Sequence, residues 1–155
     1  MTAKADYDLV IARIFEAPPA KVFRAWTTPD ILMRWWCPKP WRTTACDLDP
    51  RAGGRFNTVM EGPAGEVHDN RGIYLEIVPN QRIIFTDAFT EGYVPVGTPF
   101  MVGVIAFEDL GDGRTRYTGR ARHWSAEDKT RHEAMGFHEG WGAAADQLAA
   151  LLPTV

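Results

Sequence analysis

Arg71, Asp87 and His123 are polar residues at positions where the alternating pattern of the surrounding sequence is otherwise apolar. If each one lies on the inward face of a strand, they project into an apolar interior. A few convergent polar groups on apolar walls are typical of a small-molecule site. Asp87 near Arg71 would stay ionised and could orient a ligand, and His123 could exchange a proton near neutral pH. The three side chains therefore predict ligand orientation, or general acid–base chemistry on a bound substrate.

The same three residues also have a structural interpretation. Arg71 and His123 can lie at strand ends with their polar heads in water. Asp87 can accept hydrogen bonds from the backbone N–H groups of an adjacent turn. The sequence leaves both interpretations open.

Aromatic residues make up 12% of the chain and include six Trp. This is more large, rigid apolar surface than a small core needs, which suggests a cavity wall. We predict that Trp35, Phe137 and Trp141 line such a cavity, with core packing as the alternative. Trp36 and Trp41 flank a proline-rich loop and could line the mouth of the cavity, although an exposed Trp is also allowed in such a loop.

The predicted ligand-binding set combines these aromatic residues with the residues that alternation places on inward strand faces. It consists of Trp35, Phe56, Arg71, Phe85, Asp87, Phe89, Met101, His123, Phe137 and Trp141. A register shift of one residue would invert any strand's assignment. Leu75 and Ile77 are assigned inward together with Ile83 and Phe85, which requires an odd number of residues in the turn at Pro79.

Several catalytic signatures are absent from the sequence. His132-Glu133 lacks the second His of a zinc-protease helix, and His132 and His138 lie six residues apart, on different sides of a helix. Ser125, three residues before Asp128, is better explained as a helix cap than as a nucleophile. We predict no catalytic residue, metal or cofactor, and the sequence leaves open whether any reaction occurs.

The elements that must position these residues follow from periodicity and turn chemistry. A first strand covers Tyr7 to Phe15, a helix opens at Pro18-Pro19, a second short helix follows Thr28, and helical periodicity then returns from Ser125 to Leu152. Between them, short strands separated by turns are predicted near 41–48, 55–61, 66–78, 81–89, 100–108 and 114–123. The long connection from Thr90 to Pro99 suggests a flap over a cavity mouth.

This order predicts an α+β fold in which a curved antiparallel sheet of six to seven strands wraps around a long C-terminal helix. In the last strand, Arg116 and Arg120 should face water, while Tyr117 and His123 face inward. Three glycines within the last helix, including Gly136, suggest a kink or a close approach to a strand. A length of 155 residues fits one domain, 1–155, with one core.

Composition narrows the classes of partner. The net charge is −3 and the basic residues are scattered, which argues against nucleic acid. No apolar run approaches the roughly 20 residues of a membrane span, and the N-terminus lacks a secretory signal. We therefore expect a cytoplasmic protein that does not bind membranes and whose Cys37 and Cys46 are free thiols. Homodimer formation is left open.

The chain resembles the START-like (SRPBCC) helix-grip superfamily and, within it, bacterial homologues of the heat-shock-protein-90 ATPase activator. Single motifs are weak, but their order over nearly the full length is specific. The matching motifs lie at Ala17-Pro18, Val22 to Trp26, Trp35-Trp36, Asp49 to Phe56, Gly72 to Pro79, Arg82 to Thr86, Gly113 to Arg116 and Gly140 to Leu148. Many family members carry an aromatic residue where this chain has Asp87.

The resemblance implies a cavity between helix and sheet more firmly than it implies an activity, since fold does not determine function. The first hypothesis is binding of a small, partly apolar molecule, lipid-like or aromatic and polyketide-like. The second is a cyclase or hydratase that uses the same cavity. The third, suggested by the family name, is a chaperone ATPase-activating module that binds a heat-shock chaperone.

Overall fold

The computed structural model describes residues 6–155 and has the α+β architecture that the sequence predicts. The strands are β1 (Asp8–Phe15), β2 (Arg42–Leu48), β3 (Phe56–Glu61), β4 (Val67–Asn70), β5 (Ile73–Val78), β6 (Arg82–Thr86), β7 (Phe89–Thr90), β8 (Val94–Pro95), β9 (Val102–Asp109) and β10 (Thr115–Arg122). The helices are α1 (Pro19–Thr27), α2 (Pro29–Leu32), α3 (Ala126–Ala134) and α4 (Phe137–Leu151), followed by a 3₁₀ turn, Leu152–Thr154.

The strands form antiparallel sheets that join into one curved surface. Five strands pair in the order β1-β10-β9-β6-β5, and three pair in the order β2-β3-β4. Hydrogen bonds between the backbone segments 53–56 and 72–74 connect the two sheets. Helix α4 packs across β1, so the sheet surface encloses the C-terminal helix in a helix-grip arrangement.

The predicted strand 66–78 divides at Gly72 into β4 and β5, which belong to different sheets. The Gly72 N–H donates to the Asn57 side chain at 3.2 Å, and its carbonyl accepts from the Phe56 N–H at 2.9 Å. A Cβ at position 72 would overlap the Thr86 carbonyl oxygen. The chain can therefore cross between the sheets only where this side chain is missing.

A β-bulge in β5 changes which side chains of this strand face inward, so part of the prediction for it is wrong. The turn after Val78 contains three residues, so Ile77 pairs with Ile83 as the odd-numbered turn requires. Between Tyr74 and Glu76 the register shifts, and Tyr74 instead of Leu75 lies opposite Phe85. The inward prediction for Leu75 is therefore wrong: its side chain is substantially exposed, and Tyr74 is fully buried. An extra residue in one strand turns the following side chains to the other face.

The predicted final helix is two helices. The Ser125 hydroxyl accepts from the Asp128 N–H at 3.1 Å, which confirms the predicted cap of α3. Gly136 then adopts φ 94° and separates α3 from α4. A residue with a Cβ is strained in this left-handed region, so the glycine permits the change of direction. Both helices consequently present side chains toward the sheet.

The prediction for β10 is confirmed in part, since Tyr117 and Ala121 are buried and Arg116 is exposed, whereas Arg120 is half-buried and pairs with Asp8 at 2.9 Å. Apolar residues from β1, α1, β6, β9, β10 and α4 form the core with them. Within residues 6–155, no helix is both long enough and apolar enough to cross a membrane.

Candidate functional site

A cavity of about 450 Å³ lies between the helices and the inner sheet surface. Eight residues of the predicted ligand-binding set line it: Trp35, Phe56, Arg71, Phe85, Asp87, Met101, Phe137 and Trp141. The lining also includes residues that the sequence did not assign to it, among them Trp26, Phe100 and His132. Whether these residues bind a ligand stays a prediction.

One end of the cavity, the aromatic end, consists of Trp26, Trp35, Trp36, Phe56 and Phe85. Their rings contact one another with centroid separations of 4.9 to 6.4 Å, mostly in edge-to-face or tilted geometry. Such contacts add to the stabilisation that burial alone provides. This end is therefore a rigid apolar wall.

The two most buried indoles have their N–H groups satisfied within the protein. Trp26 Nε1 donates to the Tyr117 hydroxyl at 3.1 Å, and Trp35 Nε1 donates to the Ala25 carbonyl at 3.1 Å. Burial raises the pKa of Tyr117, so its hydroxyl stays protonated at neutral pH. The aromatic end therefore offers a ligand apolar ring surface and little hydrogen bonding.

The other end of the cavity, the histidine end, is lined by Phe100, His132, Phe137 and Trp141, and His123 lies behind His132. His132 is buried among three aromatic rings, whose centroids lie 4.7, 5.2 and 6.2 Å from its own. His132 lies on α3 and His123 directly follows β10, and the turn capped by Ser125 brings them together. The His123 Nε2 to His132 Nδ1 distance is 2.8 Å.

Electrostatics keeps His132 neutral. Burial and, secondarily, the neighbouring His123 lower the pKa of His132 to about 4. An imidazolium here would lose its hydration and gain no carboxylate partner, because no ion pair of the described part of the chain involves either histidine. At neutral pH the ring therefore has one N–H and one lone pair.

His123 was predicted to face the cavity, but the structure places it behind His132, outside the cavity wall. Its Nδ1 lies 2.7 Å from the Tyr7 carbonyl oxygen, and its Nε2 is occupied by His132. His123 is thus a support for the ring that does line the cavity. Helical periodicity, which predicts one continuous helix from Ser125 to Leu152, does not mark His132 as a residue of the cavity wall.

Asp87 lines the cavity, but its carboxylate binds backbone N–H groups, which is the structural alternative to ligand binding. Its carboxylate accepts from the Phe100 N–H at 2.9 and 3.0 Å and from the Met101 N–H at 3.2 Å. The predicted approach to Arg71 is wrong, since Arg71 pairs with Asp69 at 3.3 Å and its side chain is 64% exposed. Asp87 therefore fixes the start of β9, and Arg71 lies at the rim.

Phe89, the remaining residue of the predicted set, lies outside the cavity wall. The predicted strand 81–89 ends at Thr86, and Phe89 belongs to the short hairpin of β7 and β8, where its ring packs 6.2 Å from that of Tyr93. No residue of the predicted flap, 90–99, lines the cavity within the described chain. Tyr93 contacts Gly53 instead, and Glu91 pairs with Arg55 at 2.7 Å, so the hairpin covers the β2–β3 turn.

The rim of the cavity is marked by lining residues that are exposed, Asn70 and Arg71 at one side and Met135 at the other. Met135 immediately precedes the break between α3 and α4, and its side chain is 69% exposed. Access to the cavity therefore lies between the end of β4 and this break.

The two cysteines are free thiols, as predicted. Cys37 lines the cavity, and burial raises its pKa above the ordinary value. Burial raises the pKa of Cys46 to about 11. Both are protonated at neutral pH, which disfavours nucleophilic chemistry. Among residues 6–155, no three His, Cys, Asp or Glu side chains converge to hold a metal ion.

Comparisons with known proteins agree with this architecture. The family model "Activator of Hsp90 ATPase homolog 1-like protein" matches residues 16–153. A crystal structure from Nitrosomonas europaea is 40% identical, with a TM-score of 0.92 and coverage of 97% of both chains. One from Mycobacterium smegmatis is 30% identical, with a TM-score of 0.81 and coverage of 97% of this chain and 93% of that one.

A solution structure from Arthrobacter aurescens is 26% identical, with a TM-score of 0.83, and the alignment covers 99% of this chain and 92% of that one. No curated protein gives a significant match.

Proposed function

The chain belongs to the Activator of Hsp90 ATPase homolog 1-like family of the START-like superfamily, and from that membership we propose that it binds a small, partly apolar molecule in the cavity. The molecule would be lipid-like or aromatic. The single observation that carries the proposal is the cavity of about 450 Å³ with an aromatic wall. Ligand pockets typically measure about 300 to 1,000 Å³, whereas voids in a well-packed core are rarely larger than a water molecule.

The side chains that line the cavity favour a ligand that is largely apolar. Each 100 Å² of ligand apolar surface removed from water contributes about 2.5 kcal/mol. The Asp87 carboxylate is already engaged by backbone N–H groups, and the charge of Arg71 lies at the rim. Affinity would therefore come mainly from contact with the aromatic end.

Native mass spectrometry of the purified protein, followed by thermal-shift titration with a fatty acid, a sterol and 2-methoxynaphthalene, tests the proposal. At least one class should raise the melting temperature, because a ligand at 100 times its Kd adds about 2.7 kcal/mol to stability. The absence of a bound species and of any thermal shift would contradict the proposal.

A matched pair of variants on α4 locates the binding site. Ala144 lines the cavity and Ala150 is exposed on the same helix. Ala144→Phe should fill part of the cavity and weaken probe binding, whereas Ala150→Phe should leave it unchanged. Equal binding by both variants would place the probe elsewhere and would contradict the proposed site.

A second candidate function is an interaction with a heat-shock chaperone, because the matching family is described as Hsp90 ATPase activator-like. Mixing the protein with a purified bacterial Hsp90 homologue tests it. Faster ATP hydrolysis would support this function, and unchanged hydrolysis together with no co-purification would argue against it.

A further inference from the structure

The histidine end contains a directional chain of hydrogen bonds. A backbone carbonyl can only accept, so the Tyr7 oxygen at 2.7 Å requires a proton on His123 Nδ1. In a neutral ring, His123 Nε2 is then an acceptor. The contact of 2.8 Å to His132 Nδ1 therefore requires the proton on His132 Nδ1.

This order leaves His132 Nε2 with a lone pair and no proton. No side chain or backbone group of residues 6–155 hydrogen-bonds to this nitrogen, while the ring lines the cavity. The opposite proton order would require a cationic His123, which has no carboxylate partner among residues 6–155. The depressed pKa of His132, which is caused mainly by burial, agrees with a neutral His132 ring.

Three other polar groups on the cavity wall discriminate less than this nitrogen. The Thr58 and Tyr117 hydroxyls can each donate or accept a hydrogen bond. The carboxylate of Asp87 already accepts hydrogen bonds from two backbone N–H groups, those of Phe100 and Met101. His132 Nε2 can only accept, so it favours a ligand with a donor.

We propose that His132 Nε2 accepts a hydrogen bond from a hydroxyl group of the ligand, so that the cavity selects neutral phenols and alcohols over ethers and carboxylates of the same skeleton. The inference rests on the proposed function and names its polar specificity. A carboxylate would face the lone pair of His132, and the only cation among the described lining residues, Arg71, lies at the rim paired with Asp69. An ether would leave the lone pair without a partner, which costs binding free energy.

Three naphthalene probes of one skeleton test the selection at pH 7: 2-naphthol, 2-methoxynaphthalene and 2-naphthoate. A neutral hydrogen bond should make 2-naphthol bind about 3- to 10-fold more tightly than 2-methoxynaphthalene. The anionic 2-naphthoate should bind more weakly than both. Calorimetric titration gives the three dissociation constants.

Variants assign the preference to His132. In His132→Leu the ratio of the naphthol and methoxynaphthalene constants should fall to about one. In His138→Leu, which changes an exposed histidine on α4, the ratio should stay at the wild-type value. His132→Gln retains an acceptor and should retain part of the preference.

A spectroscopic readout tests the contact without any variant. In protein with ¹⁵N-labelled histidine, 2-naphthol should shift the His132 Nε2 resonance upfield, and 2-methoxynaphthalene should not produce this shift. Binding of both probes without preference and without the shift would overturn the inference and leave the proposed function standing. Binding of none of the probes would overturn the inference, and the proposed function would fall with it only if the fatty acid and the sterol also failed to bind.

Discussion

The two ends of the cavity differ in what they offer a ligand. At the aromatic end, the indole N–H groups of Trp26 and Trp35 are satisfied within the protein, so these two side chains offer a ligand only their ring surface. At the histidine end, a chain of hydrogen bonds from a backbone carbonyl leaves His132 Nε2 as an acceptor with no partner among residues 6–155. Apolar contact is strong and non-directional, whereas a neutral hydrogen bond contributes about 1 kcal/mol but fixes orientation. The aromatic end would therefore supply most of the binding affinity, and the histidine end would supply the selectivity between ligands.

The largest effect should come from removing the centre of the aromatic end. Trp26 is almost fully buried and contacts Trp35, Trp36, Phe56 and Phe85. Trp26→Ala should lower the free energy of unfolding by about 3 to 5 kcal/mol, as measured by urea denaturation, because it creates a cavity in a packed wall.

The matched control is Trp124→Ala, because Trp124 is 50% exposed. Its effect should stay within about 0.5 kcal/mol. Similar losses in the two variants would show that the aromatic end is not the rigid part of the molecule.

The histidine end should make the free energy of unfolding depend on pH, which the aromatic end should not do. The pKa of His132 is about 4 in the folded protein and about 6.5 when unfolded. Between these values the unfolded chain binds more protons, so stability is present above pH 6.5 and is lost as the pH falls toward 4. The charged and titratable neighbours of His132 are His123 from the end of β10 and Arg131 and Glu133 on α3.

His132→Gln should remove this part of the pH dependence. Over pH 6.5 to 4, wild type should lose about 2 to 3 kcal/mol more of its unfolding free energy than the variant. Chemical denaturation at several pH values measures the difference. Parallel curves for the two proteins would mean that His132 is protonated as readily when folded as when unfolded.

A smaller effect should come from pushing the aromatic wall into the cavity. A Cβ at Gly103 would overlap the end of the Phe85 ring. Gly103→Ala should therefore displace this ring, cost about 1 to 3 kcal/mol of stability and weaken binding of 2-methoxynaphthalene. Gly97→Ala is the control, because a Cβ there meets no atom within 4 Å. Unchanged stability and binding in Gly103→Ala would show that the Phe85 ring can move aside without narrowing the cavity.

Part of the aromatic cavity wall, at both ends, could be predicted from the sequence. Strand alternation identified Phe56 and Phe85, and the helical stripe identified Phe137 and Trp141. These patterns depend on local periodicity, which the fold preserves wherever an element is regular. The family resemblance supplied the helix-grip arrangement that brings the elements together.

The parts that could not be predicted depend on irregularities and on tertiary contacts. The bulge after Tyr74 inverted the assignment of Leu75, and the left-handed Gly136 divided the final helix. His123 and His132 meet across a strand-to-helix turn, and no periodicity marks that contact. The available signal was two histidines flanking the Ser125 cap, which places both near the same turn.

The most direct test of ligand binding between the two ends is an NMR measurement of intermolecular contacts with bound 2-methoxynaphthalene. Because this probe lacks a hydrogen-bond donor, the result does not depend on the role of His132. We predict nuclear Overhauser effects from the probe to ring protons of Trp35, Phe85 and Phe137, which line the cavity. Effects confined to exposed residues such as Trp124 and Tyr93, with none to the cavity rings, would contradict small-molecule binding in the cavity.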